Sequence, residues 1–92
     1  MPIFAVTYKY VDVADLVNQI RPEHRVWLGE LLEKEILLVS GPLVHRAASL
    51  LVFRSETADQ LGQLLDQDPL ELAGLITERT IEEWNTVFGP WR

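Results

Sequence analysis

Cysteine is absent from the sequence, which excludes a disulfide framework, a thiol nucleophile and any cysteine-based zinc site. No apolar run reaches the roughly 18 residues that a membrane-spanning helix needs. The opening stretch Met-Pro-Ile-Phe-Ala-Val has neither the basic flank nor the long apolar segment of a signal peptide. A cytoplasmic protein is therefore expected. Basic residues are scarce: eight Lys and Arg stand against 14 Asp and Glu, a formal charge of −6, and they are scattered along the chain. With no basic stripe, neither nucleic acid nor membrane is expected as a partner. The two histidines show no His-Glu-x-x-His spacing, so no metal site is expected, and Gly-x-Gly-x-x-Gly, phosphate-loop and Gly-x-Ser-x-Gly motifs are missing too. There is no internal repeat and no low-complexity segment.

What is present is a 92-residue chain, 48% apolar. That composition supports one domain spanning 1–92, with 85–92 as a C-terminal tail carrying two large apolar anchors, Phe88 and Trp91. A chain of this length buries only about 60 to 65% of its unfolded surface, so association with a second chain adds useful burial.

The β-branched and aromatic stretch 3–11 reads as a first strand, and 12–20 as a connection. Pro22 then opens a helix, where its missing N–H is tolerated. The spacing of Trp27, Leu28, Leu31 and Leu32 marks the amphipathic stripe of that helix, which ends near Glu35. A dense apolar run at 36–39, stopped by Ser40, Gly41 and Pro42, gives a second strand, and 47–53 a third. Ser55 or Thr57 caps a second helix with the stripe Leu61, Leu64 and Leu65, which Pro69 stops from running on. A further helical turn fits before Gly74, and 76–84 forms the fourth strand.

This order is the split βαβ of ferredoxin-like α+β folds, a βαββαβ chain with a four-stranded antiparallel sheet and two helices on one face. The strands then present a mismatch. Ile36 and Leu38 alternate with Leu37 and Val39, and Leu50 and Val52 with Leu51 and Phe53, so both sheet faces carry apolar side chains. The helices cover one face only. Leaving four such side chains wet forgoes roughly 1.5 to 3 kcal/mol each, which points to a second surface over the other face, most simply a homodimer or a higher oligomer.

His24 falls on the buried stripe of the first helix, in its first turn, where the positive end of the helix dipole disfavours the cation and suits a general base. A structural histidine at the core edge fits the same spacing. Asp68, beside Pro69, fits ordinary turn chemistry, and equally a carboxylate that orients His24 by accepting its ring N–H. His45 and Arg46, after the Gly41-Pro42 turn, fit either solvated loop residues or groups that reach into a pocket to bind an anionic substrate or donate a proton.

Arg21-Pro22-Glu23-His24 with the Leu-rich helix, Leu38-Val39-Ser40-Gly41-Pro42, Asp68-Pro69-Leu70 with Ala73-Gly74-Leu75, and 81–84 together form a spread pattern. On these residues the chain resembles the YciI-like (YCII-related) family, small relatives of muconolactone isomerase in the dimeric α+β barrel group. The resemblance implies a ferredoxin-like protomer whose open face stacks on that of a second chain, and a His24–Asp68 catalytic pair. It implies a lyase, isomerase or dehalogenase without metal or organic cofactor, acting by proton transfer on a small cyclic or aromatic compound. The family fixes no single substrate. Tyr8, Trp27 and Phe53 would wall the pocket and His45 or Arg46 would stabilise oxyanion charge. A non-catalytic dimeric module that binds a small ligand is the alternative.

Overall fold

The computed structural model describes residues 1–91. Along the chain run β1 (Ile3–Tyr10), α1 (Ala14–Glu33), β2 (Leu37–Pro42), β3 (Ala48–Arg54), α2 (Ala58–Leu65), α3 (Pro69–Leu72) and β4 (Ile76–Glu83). Residues 85–91, within the stretch read as a tail, carry no helix or strand, and Arg92 lies outside the described residues. The sheet order is β2-β3-β1-β4, with every neighbouring pair antiparallel. That is the ferredoxin-like arrangement: the β1–α1–β2 crossover leaves a gap that β3 fills. No helix is long and apolar enough to cross a membrane among the described residues.

One part of the fold expectation is corrected. Closing a sheet into a barrel requires its two edge strands to pair. Here β2 pairs only with β3 and β4 only with β1, so the sheet of this chain is open and no barrel is formed.

The core lies between the sheet and the two longer helices. Phe4, Val6 and Tyr8 of β1 and Leu51 and Phe53 of β3 meet Leu31 of α1 and Leu61 and Leu65 of α2. Register places the alternate residues on the opposite face: Ala5 pairs with Val52 and Thr7 with Leu50. The alternation expected in the third strand therefore holds. In the second strand it does not, because the register shifts between Leu37 and Val39. Leu37 pairs with Phe53 on the helix side, whereas Val39 pairs with Val52 on the open side, so Leu37 and Val39 do not share a face. Leu50 is 44% exposed while its strand neighbour Leu51 is 1% exposed.

The connection expected at 12–20 is also corrected. α1 starts at Ala14 and carries Pro22 within it. Val17, Ile20, His24, Leu28 and Leu31 continue one inward stripe through the proline, and the gain from burying that stripe outweighs the local defect. Pro22 removes only the hydrogen bond to the Asn18 carbonyl; both residues are exposed, so water replaces the missing donor. The chain then leaves α1 through Glu35, in the left-handed region at φ 59°, while the Ile36 amide returns to the Leu31 carbonyl at 3.0 Å.

Candidate functional site

Two short-range devices place Asp68. Its carboxylate caps α3, Oδ1 accepting the Leu70 amide at 2.9 Å, with Pro69 in the first helical position. Leu70 in turn packs with Val17 of α1 and Leu75 in a small apolar cluster, which holds α3 against α1. A third contact fixes the turn from the sheet. Arg79 of β4 reaches Asp66 at 2.9 Å and Glu71 at 3.2 Å, one residue on either side of the cap.

The result brings together side chains 44 residues apart: His24 Nδ1 lies 2.8 Å from Asp68 Oδ1. Asp68 is fully buried and His24 is 8% exposed. An isolated buried carboxylate is strongly unfavourable, whereas one accepting two N–H groups is tolerated. An ionised carboxylate only accepts, so facing one the ring donates from Nδ1, and in the uncharged ring that leaves Nε2 with its lone pair. His24 stands in the middle of α1, so the expected influence of the helix N-terminus on it is corrected. The Asp68 carboxylate, not the helix end, governs this ring.

Asp68 Oδ2 and the Tyr8 hydroxyl are both buried with no hydrogen-bond partner among the described residues. They nevertheless interact: burial first, then the Asp68 charge and a side-chain hydrogen-bonding contact with Asp68, push the Tyr8 phenol well above its ordinary range. Tyr8 is therefore a neutral group behind the pair. At 0% exposure, neither it nor Phe53 forms part of an open pocket wall. Trp27 does not line the cleft; its ring stacks on His24, with centroids 6.4 Å apart and planes 24° apart.

His24 opens onto a cleft of about 170 Å³ between α1 and the strands β2 and β3. Its other walls include Arg21, Arg25, Tyr10, Ser40 and Ser49. Tyr10 donates its hydroxyl to Ser49 Oγ at 2.7 Å. Burial raises the Tyr10 phenol above its ordinary value, the Ser49 bond lowers it, Asp68 raises it and Arg21 lowers it, with a net upward displacement. The expected loop residues lie beside the cleft: His45 is exposed, and Arg46 lines an adjoining depression with Val11 and Asn18 that shares Tyr10 and Arg21 with the cleft. Arg21, Arg25, Tyr10 and Ser49 were not among the sequence candidates. Reading α1 through Pro22 exposes the signal, because 21, 24, 25 and 28 share one helical face. Among the described residues no group of three or more His, Cys, Asp or Glu side chains is arranged to hold a metal ion.

Fold and site together define a small ferredoxin-like α+β domain with a buried histidine–carboxylate pair at the edge of a cleft. The chain belongs to the YCII-related domain family, whose sequence profile matches residues 1–85. Among solved structures it is similar to 5-chloro-2-hydroxyhydroquinone dehydrochlorinase from Burkholderia phenoliruptrix AC1100, in complex with 2,5-dihydroxybenzoquinone. That match has a TM-score of 0.80 and 22% identity, and covers 90% of this chain and 93% of the other, a likeness of fold. Among curated proteins no sequence matches this chain.

Proposed function

We propose that this chain is a proton-transfer enzyme for a small cyclic or aromatic compound, of lyase, isomerase or dehalogenase type, with His24 as base and Asp68 as its orienting carboxylate. The observation that carries the reading is the 2.8 Å contact between His24 Nδ1 and the fully buried Asp68. Asp68 holds the ring so that Nε2 takes the proton, and it balances the imidazolium that forms. In such a step the C–H bond breaks and the proton passes to Nε2. The electron pair moves into the ring, either expelling a leaving group from an adjacent saturated ring carbon, as in the keto tautomer of a hydroxylated ring, or resting on a conjugated oxygen. His24 then returns its proton to the product or to solvent. The fold likeness to a dehydrochlorinase of a hydroxylated ring supports this substrate class.

We also propose a homodimer joined through the open sheet face. Its support is the exposure of Val39, Leu50 and Trp84 at 44, 44 and 45%, on or beside that face. The area left wet on one side of a small domain is what a second copy of the same face covers.

The test of the catalytic reading measures chloride release from 5-chloro-2-hydroxyhydroquinone and solvent-deuterium uptake into cyclic enols, for wild type, His24→Gln and Asp68→Asn. Wild type turns over at least one of these compounds. His24→Gln then abolishes turnover, and Asp68→Asn lowers kcat by about a hundredfold or more with KM little changed. Equal rates in all three proteins would remove His24 and Asp68 from the chemistry.

A further inference from the structure

The His24 cleft has a charge opposite to that of the protein. The chain carries a formal charge of −6, with carboxylates outnumbering basic residues 14 to 8. Yet among the described residues no carboxylate lines this cleft, and two guanidinium groups do, Arg21 and Arg25. They flank His24 on one face of α1, at the spacing that puts residues side by side.

Neither arginine is neutralised. Lys9 and Arg79 are engaged with Glu78, Asp66 and Glu71, but Arg21 and Arg25 have no ion pair or hydrogen bond among the described residues. In so acidic a protein, two adjacent unpaired guanidiniums beside a buried base mark a place kept free for an anion brought from outside. Ser49 adds a donor, because its Oγ accepts from Tyr10 and its own hydrogen remains free to point to a ligand. The opening is small. At about 170 Å³ it lies below the roughly 300 Å³ at which drug-sized pockets begin, and suits a single ring.

From this arrangement we infer that the cleft takes a small cyclic organic monoanion, a ring carboxylate or a ring enolate, whose charged oxygens are bound by Arg21 and Arg25. The inference deepens the proton-transfer reading and rests on it for the identity of the site as a substrate site. The same guanidiniums stabilise the negative charge that builds on the substrate as its proton leaves, a contribution made where charge develops.

The test is binding to the full chain, followed by amide chemical shifts, which needs no turnover. The probes are benzoate and the enolate of cyclohexane-1,3-dione, each beside a neutral counterpart, benzamide and cyclohexanone. At least one anion gives saturable shifts at Ser40, Gly41 and Ser49, and its neutral counterpart binds about tenfold more weakly or worse. Arg21→Gln combined with Arg25→Gln removes about tenfold or more of the anion affinity while the circular dichroism melt is retained, and added salt weakens wild-type binding. Lys34→Gln, at the far end of α1 and outside the cleft, leaves it unchanged. Neutral probes binding as well as the anions, no saturable shift from either anion up to about 20 mM, or anion affinity that survives the double variant would each overturn the inference. His24→Gln separates the two proposals. Binding retained without turnover supports both, whereas arginine-dependent binding with turnover untouched by His24→Gln defeats the catalytic reading alone. Turnover that depends on His24 but proceeds equally well on neutral rings in the double arginine variant defeats the anion site alone.

Discussion

Asp68 Oδ1 takes two hydrogen bonds at once, from the Leu70 amide and from His24, while its other oxygen and the nearby Tyr8 hydroxyl have none. The carboxylate thus serves as helix cap and ring orienter through one atom, so the turn chemistry and the pairing weighed as alternatives from the sequence are both present. Spacing alone did not reveal this, because a contact across 44 residues leaves no local pattern; the family resemblance paired the two residues. Tyr8 has a titration consequence. Its folded-state pKa is raised above the ordinary 10.0 by burial and by Asp68, so the folded state holds the phenolic proton more tightly than the unfolded state. Its contribution to stability is whole below pH 10 and declines as pH rises further. Tyr8→Phe deletes a hydroxyl that makes no hydrogen bond of good geometry among the described residues, so stability at neutral pH stays within about 1 kcal/mol of wild type. Thermal melts taken from pH 8 upward should show a flatter alkaline decline in Tyr8→Phe. An unchanged decline above pH 10 would remove Tyr8 as a source.

At the scale of elements, the site depends on how α3 is pinned. Leu70 fixes it to α1, and Arg79 holds the turn to β4 through carboxylates on either side of Asp68. Partly exposed pairs of this kind contribute little each, roughly 0.2 to 1 kcal/mol. Arg79→Gln is therefore expected to lower stability by about 1 kcal/mol or less, while hydrogen exchange at Leu70, whose amide bonds Asp68, quickens. Unchanged exchange there would show that Leu70 packing alone holds the turn. The elements themselves were largely legible: the Thr57 cap, accepting the Gln60 amide at 3.1 Å, and the bounds of β1, β3 and β4 follow local chemistry, whereas β2 runs on through Ser40, Gly41 and Pro42, which read as its stop. The start of α1 was not, since Pro22 reads as punctuation although the buried stripe runs through it. The shift in β2 was equally hidden, because a bulge changes which residues share a face without changing composition. Missing the N-terminal half of α1 also concealed Arg21 as a neighbour of His24.

For the whole molecule, the excess of apolar residues in the strands resolves into an open sheet with one face packed and the other only partly covered. Val52 on the open side is 2% exposed, yet its strand neighbour Leu50 is 44% exposed. Together with Ala5, Trp84, Glu82 and Glu83 they line a shallow depression whose floor is largely apolar. Leu50→Asp, facing away from the helices, is expected to convert a sedimenting dimer to monomer at micromolar concentration while the fold is retained, since a charge in a buried interface core costs several kcal/mol. Wild-type protein that sediments only as monomer would contradict the proposed assembly. The acidic surface and the basic cleft are likewise properties of the whole chain: carboxylates elsewhere set the net charge, and two arginines on one helix face set the local one.

A long-range ¹H–¹⁵N correlation spectrum of the uncharged His24 ring reads directly which nitrogen carries the proton beside Asp68. The ring is expected to carry its hydrogen on Nδ1 with Nε2 bare, and Asp68→Asn is expected to shift the population toward the other tautomer. A ring protonated on Nε2 in the wild type, or a tautomer indifferent to Asp68→Asn, would contradict the orienting role of Asp68.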